Sequence, residues 1–110
     1  MGGASERLRL TGDPFADRLA TLRTRFVVRA AEDRQILAEL EPPFSRAARE
    51  QVRLLAHRLA GAAGTFGYPE ASEAAFELEE VCETGRDDLA LRAALDKLDA
   101  ALAGVLPPGP

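Results

Sequence analysis

Tryptophan is absent from these 110 residues, and five phenylalanines and one tyrosine are the whole aromatic complement. A core with so few rings has to be built from alanine and leucine, the side chains of closely packed helices. There is one cysteine, Cys82, which excludes an intrachain disulfide and fits a reducing compartment. There is also a single histidine, and a lone histidine with a lone cysteine cannot assemble a typical structural zinc site. No apolar run approaches the roughly 20 residues of a membrane span. The opening MGGASERLRL lacks the apolar centre of a signal peptide. The chain is therefore expected to be cytoplasmic, with no membrane partner. A formal net charge of -4 argues against a nucleic-acid partner held by bulk charge. Neither a G-x-x-x-x-G-K-[ST] loop nor a kinase glycine-rich loop occurs, so no ATP site and no autokinase activity are expected.

What is present reads as helices separated by short punctuation. The length suits one domain with one core. Residues 1–12 read as a flexible, polar N-terminus, residues 13–105 as the helical bundle, and residues 106–110 as a Pro/Gly tail. Asp13-Pro14 has the form of an N-cap followed by proline at the first helical position. Phe15, Leu19, Leu22, Phe26 and Ala30 then recur at helical spacing, with Arg18, Arg23, Arg25 and Arg29 on the other sides. Around Ala31–Asp33 this stripe loses register, and Ile36, Leu37 and Leu40 resume it, which suggests two helices, near 14–30 and 32–41. Pro42-Pro43 ends the second and Ser45 can cap the next. Further helices are expected near 45–66, 69–84 and 87–104, punctuated by Gly67 and Gly85. Residues 69–84 carry six glutamates and no basic residue. Glu70, Glu73, Glu77 and Glu80 form a polar row opposite a stripe that ends in Cys82, which reads as a small core residue. The fold class is accordingly all-α: an antiparallel four-helix bundle with an additional N-terminal helix packed on it or extending it.

The segment Gln51–Gly67, QVRLLAHRLAGAAGTFG, holds the only histidine, His57. At about 100° per residue, Val52, Leu55, Leu59, Ala62, Ala63 and Phe66 gather on one side of this helix. His57 falls on the opposite, polar side, in line with Glu50, Arg53, Gly61 and Gly64. Glycine within a helix costs roughly 1 kcal/mol relative to alanine. Two glycines beside the ring therefore suggest that something approaches it closely. The helical neighbours of His57 at the usual ligand spacings are Arg53, Ala60 and Gly61, none of them a metal ligand. No local pattern supplies the orienting acid and oxyanion hole of a hydrolytic triad. What remains is a nucleophilic imidazole, whose unperturbed pKa of about 6.5 leaves it neutral at cellular pH.

The string His57-Arg58-Leu59-Ala60-Gly61, followed by Gly64 and Gly67, resembles the H-x-L-x-G…G signature of histidine phosphotransfer (HPt) domains. The resemblance covers most of residues 14–104, but only the His57 segment carries distinctive motif residues. It implies an antiparallel helical bundle in which His57 accepts a phosphoryl group from an aspartate of a response-regulator receiver domain, such as that of a hybrid histidine kinase, and passes it to another. The expected cofactor list of this chain is empty, because Mg²⁺ would travel with the receiver. The family often has lysine three residues after the histidine, where this chain has Ala60. Arg53, one turn before His57, is the expected substitute cation. Arg58 flanks the face, and Gly61 and Gly64 would leave room for the partner. Two other readings compete with phosphotransfer: a non-catalytic helical module that docks a receiver or another signalling protein, and a structural homodimeric bundle.

Overall fold

In a computed structural model, residues 13–106 are described, and the expectations for residues 1–12 and 107–110 lie outside them. Four helices follow in order: α1 Pro14–Ala38, α2 Arg46–Thr65, α3 Pro69–Glu83 and α4 Asp88–Ala103. No strand occurs among the described residues. Three of the four starts are capped by a side chain, and α3 starts on Pro69 without one. The Asp13 side chain accepts from the Phe15 amide at 3.0 Å, Ser45 Oγ from the Ala48 amide at 3.0 Å, and Asp87 Oδ1 from the Ala90 amide at 2.9 Å. Each satisfies an amide that the first helical turn leaves without a partner. At the turns after α2 and α3 the chain takes φ of +85° at Gly67 and +65° at Gly85. A side chain is strained in that region, so glycine fits both places.

The short connections fold the helices into a four-helix bundle. The most extensive packing is between α2 and α3, followed by α3 against α4, and α1 closes the bundle against α4 and α2. Leu59, Leu78, Leu91, Leu95, Leu98 and Leu102 are the large, fully buried side chains at its centre. Burying a leucine contributes about 1.5–3 kcal/mol relative to leaving it exposed. Alanines fill much of the remainder: Ala56, Ala60 and Ala63 on α2, and Ala71, Ala74 and Ala75 on α3, are all buried. Small side chains let helix axes approach closely, and this closeness positions the site described below. Tyr68, between α2 and α3, stacks on Phe26 with ring centroids 5.5 Å apart.

The separate N-terminal helix expected from sequence does not exist. Residues 14–30 and 32–38 form one uninterrupted helix of 25 residues. The stripe did not lose register at residue 33; a carboxylate occupies a core position. Phe26, Ala30, Asp33 and Leu37 are the buried residues of α1, spaced by four, three and four. Asp33 is 1% exposed. It tolerates burial because Arg58 of α2 reaches it with two parallel hydrogen bonds of 3.1 Å, Nη1 to Oδ2 and Nη2 to Oδ1, and Arg29 lies 3.5 Å away on the same helix. Further polar ties hold the bundle together: Arg34 to Asp99 at 2.7 Å between α1 and α4, and Arg49 to Asp88 at 2.6 Å between α2 and α4.

This arrangement gives a stability prediction. In the Asp33→Ala protein Arg58 loses its bidentate acceptor and a small void opens under α1. Arg58 is partly exposed and can rehydrate, so the cost is expected at about 1–3 kcal/mol, below that of fully buried pairs. Chemical denaturation should show this loss with an unchanged slope. Asp33→Leu combined with Arg58→Leu should recover most of it. A single Asp33→Ala protein as stable as the wild type would show that the pair does not hold α1 to α2.

Candidate functional site

His57 lies midway along α2, one side of which is sealed by Leu55 and Leu59. Its own side chain is 71% exposed. Two helical turns of the same face carry Gly61 and Gly64, and they differ in what they do. A Cβ built on Gly61 meets nothing within 4 Å, so the space beside the ring is open. A Cβ on Gly64 would lie 3.3 Å from Ser72 Oγ of α3. That hydroxyl donates to the Ala60 carbonyl at 2.8 Å. The room left by Gly64 is thus occupied by α3, and this glycine serves the close approach of two helices.

That approach brings an unforeseen group to the histidine. Glu79 of α3 places Oε2 2.7 Å from His57 Nδ1. Glu79 is only 8% exposed overall, whereas the imidazole faces solvent. An ionised carboxylate can only accept, so with Glu79 in that form Nδ1 is the donor of this contact. The lone pair then sits on Nε2, which has no hydrogen-bond partner among the described residues. In a neutral ring the arrangement favours the tautomer with its proton on Nδ1, and Nε2 is then the nitrogen with nucleophilic character. Glu79 was not singled out in the sequence because it sits among six glutamates. A signal was there: Ala71, Ala75, Leu78 and Glu79 share the buried stripe of α3, so one glutamate occupies a core-facing position that its neighbours avoid.

The arginines expected to support the site are each held by a carboxylate. Arg53 donates to Glu50 from Nε at 2.9 Å and from Nη2 at 2.6 Å, and its Nη1 lies 3.9 Å from Glu83. The hydrogen bond to Glu50 makes the Arg53 guanidinium even harder to deprotonate, and in return lowers the Glu50 pKa. Arg58, adjacent in sequence to His57, points to Asp33 on α1. Ala60, at the position where lysine is frequent in the family, is 2% exposed, between α2 and α3. Cys82 is partly buried on α3, and burial pushes its thiol pKa up, which suits a packing role. Among the described residues no cluster of three or more His, Cys, Asp or Glu side chains could hold a metal ion.

Around the ring the surface is apolar in two places. Phe76, one turn before Glu79 on α3, is 59% exposed, and Leu54, one turn before His57 on α2, is 56% exposed. Phe76 borders a shallow groove shared with Gly64, Gly67, Pro69, Ser72 and Glu73. The site is therefore a convex imidazole on a largely open face, with no enclosing pocket, which fits a macromolecular partner better than a small substrate.

No helix among the described residues is long and apolar enough to cross a membrane. No curated protein and no solved structure matches the chain. The model of the Hpt domain family does, over residues 21–106. That span takes in the His57 helix, its Glu79-bearing neighbour and all but the first turns of α1, and the match agrees with the all-helical fold and with the spacing around His57. The chain belongs to the Hpt domain family, whose domains serve histidine phosphotransfer in phosphorelay signalling.

Proposed function

We propose that His57 is the phosphoacceptor of this chain and relays a phosphoryl group to or from receiver-domain aspartates in a two-component phosphorelay. The observation that carries this reading is the Glu79 contact: Nδ1 lies 2.7 Å from Oε2 while the imidazole stays 71% exposed. In the forward step the Nε2 lone pair attacks the phosphorus of an aspartyl phosphate. The N–P bond forms as the bond from phosphorus to the aspartate oxygen breaks, and the carboxylate leaves with the electron pair. The ring becomes cationic while the Nδ1 proton stays between the imidazole and Glu79, whose negative charge offsets the new positive one. The reverse step returns the group to an aspartate of a second receiver. Such a transfer asks mainly for in-line positioning and charge neutralisation, and the receiver would bring its own Mg²⁺. Gly61 leaves an approach for it, and Phe76 and Leu54 offer apolar contact on either side of the ring.

The direct test uses receiver domains from the same source, loaded with a small phosphodonor and incubated with this chain. Acid-labile, base-stable phosphate is expected on the chain. Stable docking with no phosphate would instead identify a non-catalytic binding module.

Glu79 can be tested separately as a positioning residue. Hydrogen bonds to charged groups contribute about 1.5–3 kcal/mol, and each 1.4 kcal/mol is a factor of about ten in rate. Because His57 is exposed, the lower end applies, so Glu79→Ala is expected to slow transfer about tenfold. Glu79→Gln keeps an acceptor for Nδ1–H and should recover part of the rate. The nitrogen resonances of His57 should also shift toward a tautomer mixture in Glu79→Ala and not in Glu79→Gln. Unchanged resonances in Glu79→Ala would show that the carboxylate does not choose the tautomer.

A further inference from the structure

Among the described residues, the first half of α1 carries an apolar stripe that the rest of the bundle leaves exposed. Phe15 is 68% exposed, and Leu19 and Leu22 are 39% exposed each, while Phe26, next on the same stripe, is buried against Phe66 and Tyr68. Phe26 meets the end of α2 and Asp33 meets its middle, so α1 runs past the α2–α3 turn. At a rise of 1.5 Å per residue, Phe15 stands about 16 Å beyond Phe26 along the helix. The stripe Phe15, Leu19, Leu22, Phe26 is spaced by four, three and four, which is the seam of a coiled coil. The first seven residues of α1 precede the segment matched by the family model.

Charge decides what can cover this seam. Arg18 and Arg25 flank it on one side and Arg23 on the other. None of the three forms an ion pair among the described residues. Asp17, the one acid within the first half of the helix, lies on the opposite face. A second copy docked antiparallel would set Arg18 against Arg25 of its mate, and a parallel one would set Arg18 against Arg23. Like charges at these flanking positions disfavour pairing, and opposite charges select the partner. We propose that the overhanging half of α1 docks an acidic amphipathic helix of a partner protein, one with apolar residues at heptad spacing and glutamate or aspartate on both flanks. On α1, His57 lies level with about residue 34, roughly 28 Å from Phe15 along the helix. The docked helix would therefore leave the imidazole open, and the chain could be held by one protein while exchanging phosphate with another.

The test uses the full chain and two designed 21-residue peptides. Both have leucine at the seam positions, one with glutamate and the other with lysine on the flanks. Titration calorimetry at low salt should show binding of the glutamate peptide, weakened about tenfold or more at high salt, and no binding of the lysine peptide. Leu19→Ser with Leu22→Ser should abolish binding yet leave melting temperature and transfer to His57 unchanged, because these side chains lie outside the core. Arg18→Glu, Arg23→Glu and Arg25→Glu together should reverse the preference, so that only the lysine peptide binds. Equal binding of the two peptides, or none of either, would overturn the proposal. So would sedimentation showing a wild-type dimer that Leu19→Ser with Leu22→Ser splits, which would identify a second copy as the occupant. Binding of the glutamate peptide by the His57→Gln protein separates this surface from the phosphotransfer reading.

Discussion

Replacing His57 by glutamine should abolish phosphoryl acceptance completely. Glutamine is similar in length and can still donate through its amide to Glu79, but its nitrogen has no available lone pair. The chain has no second histidine to take over. The substitution lies on the exposed side of α2, away from Leu55 and Leu59, so helicity and melting temperature should hardly change; surface substitutions usually shift stability by no more than about 0.5 kcal/mol. The check is transfer from a phosphorylated receiver, with acid-labile phosphate measured on both proteins. Acid-labile phosphate on the His57→Gln chain would place the acceptor elsewhere and end the present assignment.

Gly61→Gln is the second large effect, and its signature is opposite in stability. A Cβ at residue 61 meets nothing within 4 Å, so the side chain fits the free protein. Glycine is among the poorest helix formers and glutamine among the better ones, so the substitution should stabilise α2 by about 0.5–1 kcal/mol. Transfer should nevertheless fall by about two orders of magnitude, because the new side chain stands where the receiver must bring its phosphoryl group in line with Nε2. A displacement of 1 Å at a reacting centre can cost about a hundredfold. Arg53→Ala makes the comparison informative. Arg53 is engaged with Glu50 at the surface, and its attraction for a phosphoryl group there is screened by water and salt. Removing it should slow transfer only severalfold. A more stable Gly61→Gln protein with undiminished transfer would show that the glycine does not keep the approach open.

Much of the fold could be read from local chemistry. Asp13-Pro14, Ser45, Gly67 and Gly85 mark helix boundaries because each solves a problem confined to one or two turns, and the structure uses all four in the expected way. The phase of α2 likewise placed His57 outside and Leu55 and Leu59 inside. The errors and omissions have a common origin, in long polar side chains that choose partners on other helices. Asp33 looked like a break because its acceptability in the core depends on Arg58, 25 residues later. Glu79, outside the polar row of Glu70, Glu73, Glu77 and Glu80, passed without a role because His57, its partner, lies on α2. Arg53 has the right height and face to serve a phosphorylated ring, but its nearest acid, Glu50, holds it first. Periodicity reports which face a residue occupies and carries no information about which of several charges it will meet.

Because the imidazole stands on α2 and the carboxylate beside it on α3, the nucleophile proposed here belongs to no single segment of chain. A peptide copied from α2 would hold the same histidine with its two tautomers interchanging freely. In the folded protein the seam of Ala56, Ala60 and Ala63 is a calibrated spacer, and the 2.7 Å contact measures its setting. A relative slip of one helical turn, about 5.4 Å, would carry Glu79 out of reach while leaving each helix intact. Anything that wedges or tightens this seam from outside could therefore dim or restore the reactivity of His57 without touching it, and amide exchange along α2 and α3 would register the change before the phosphate did.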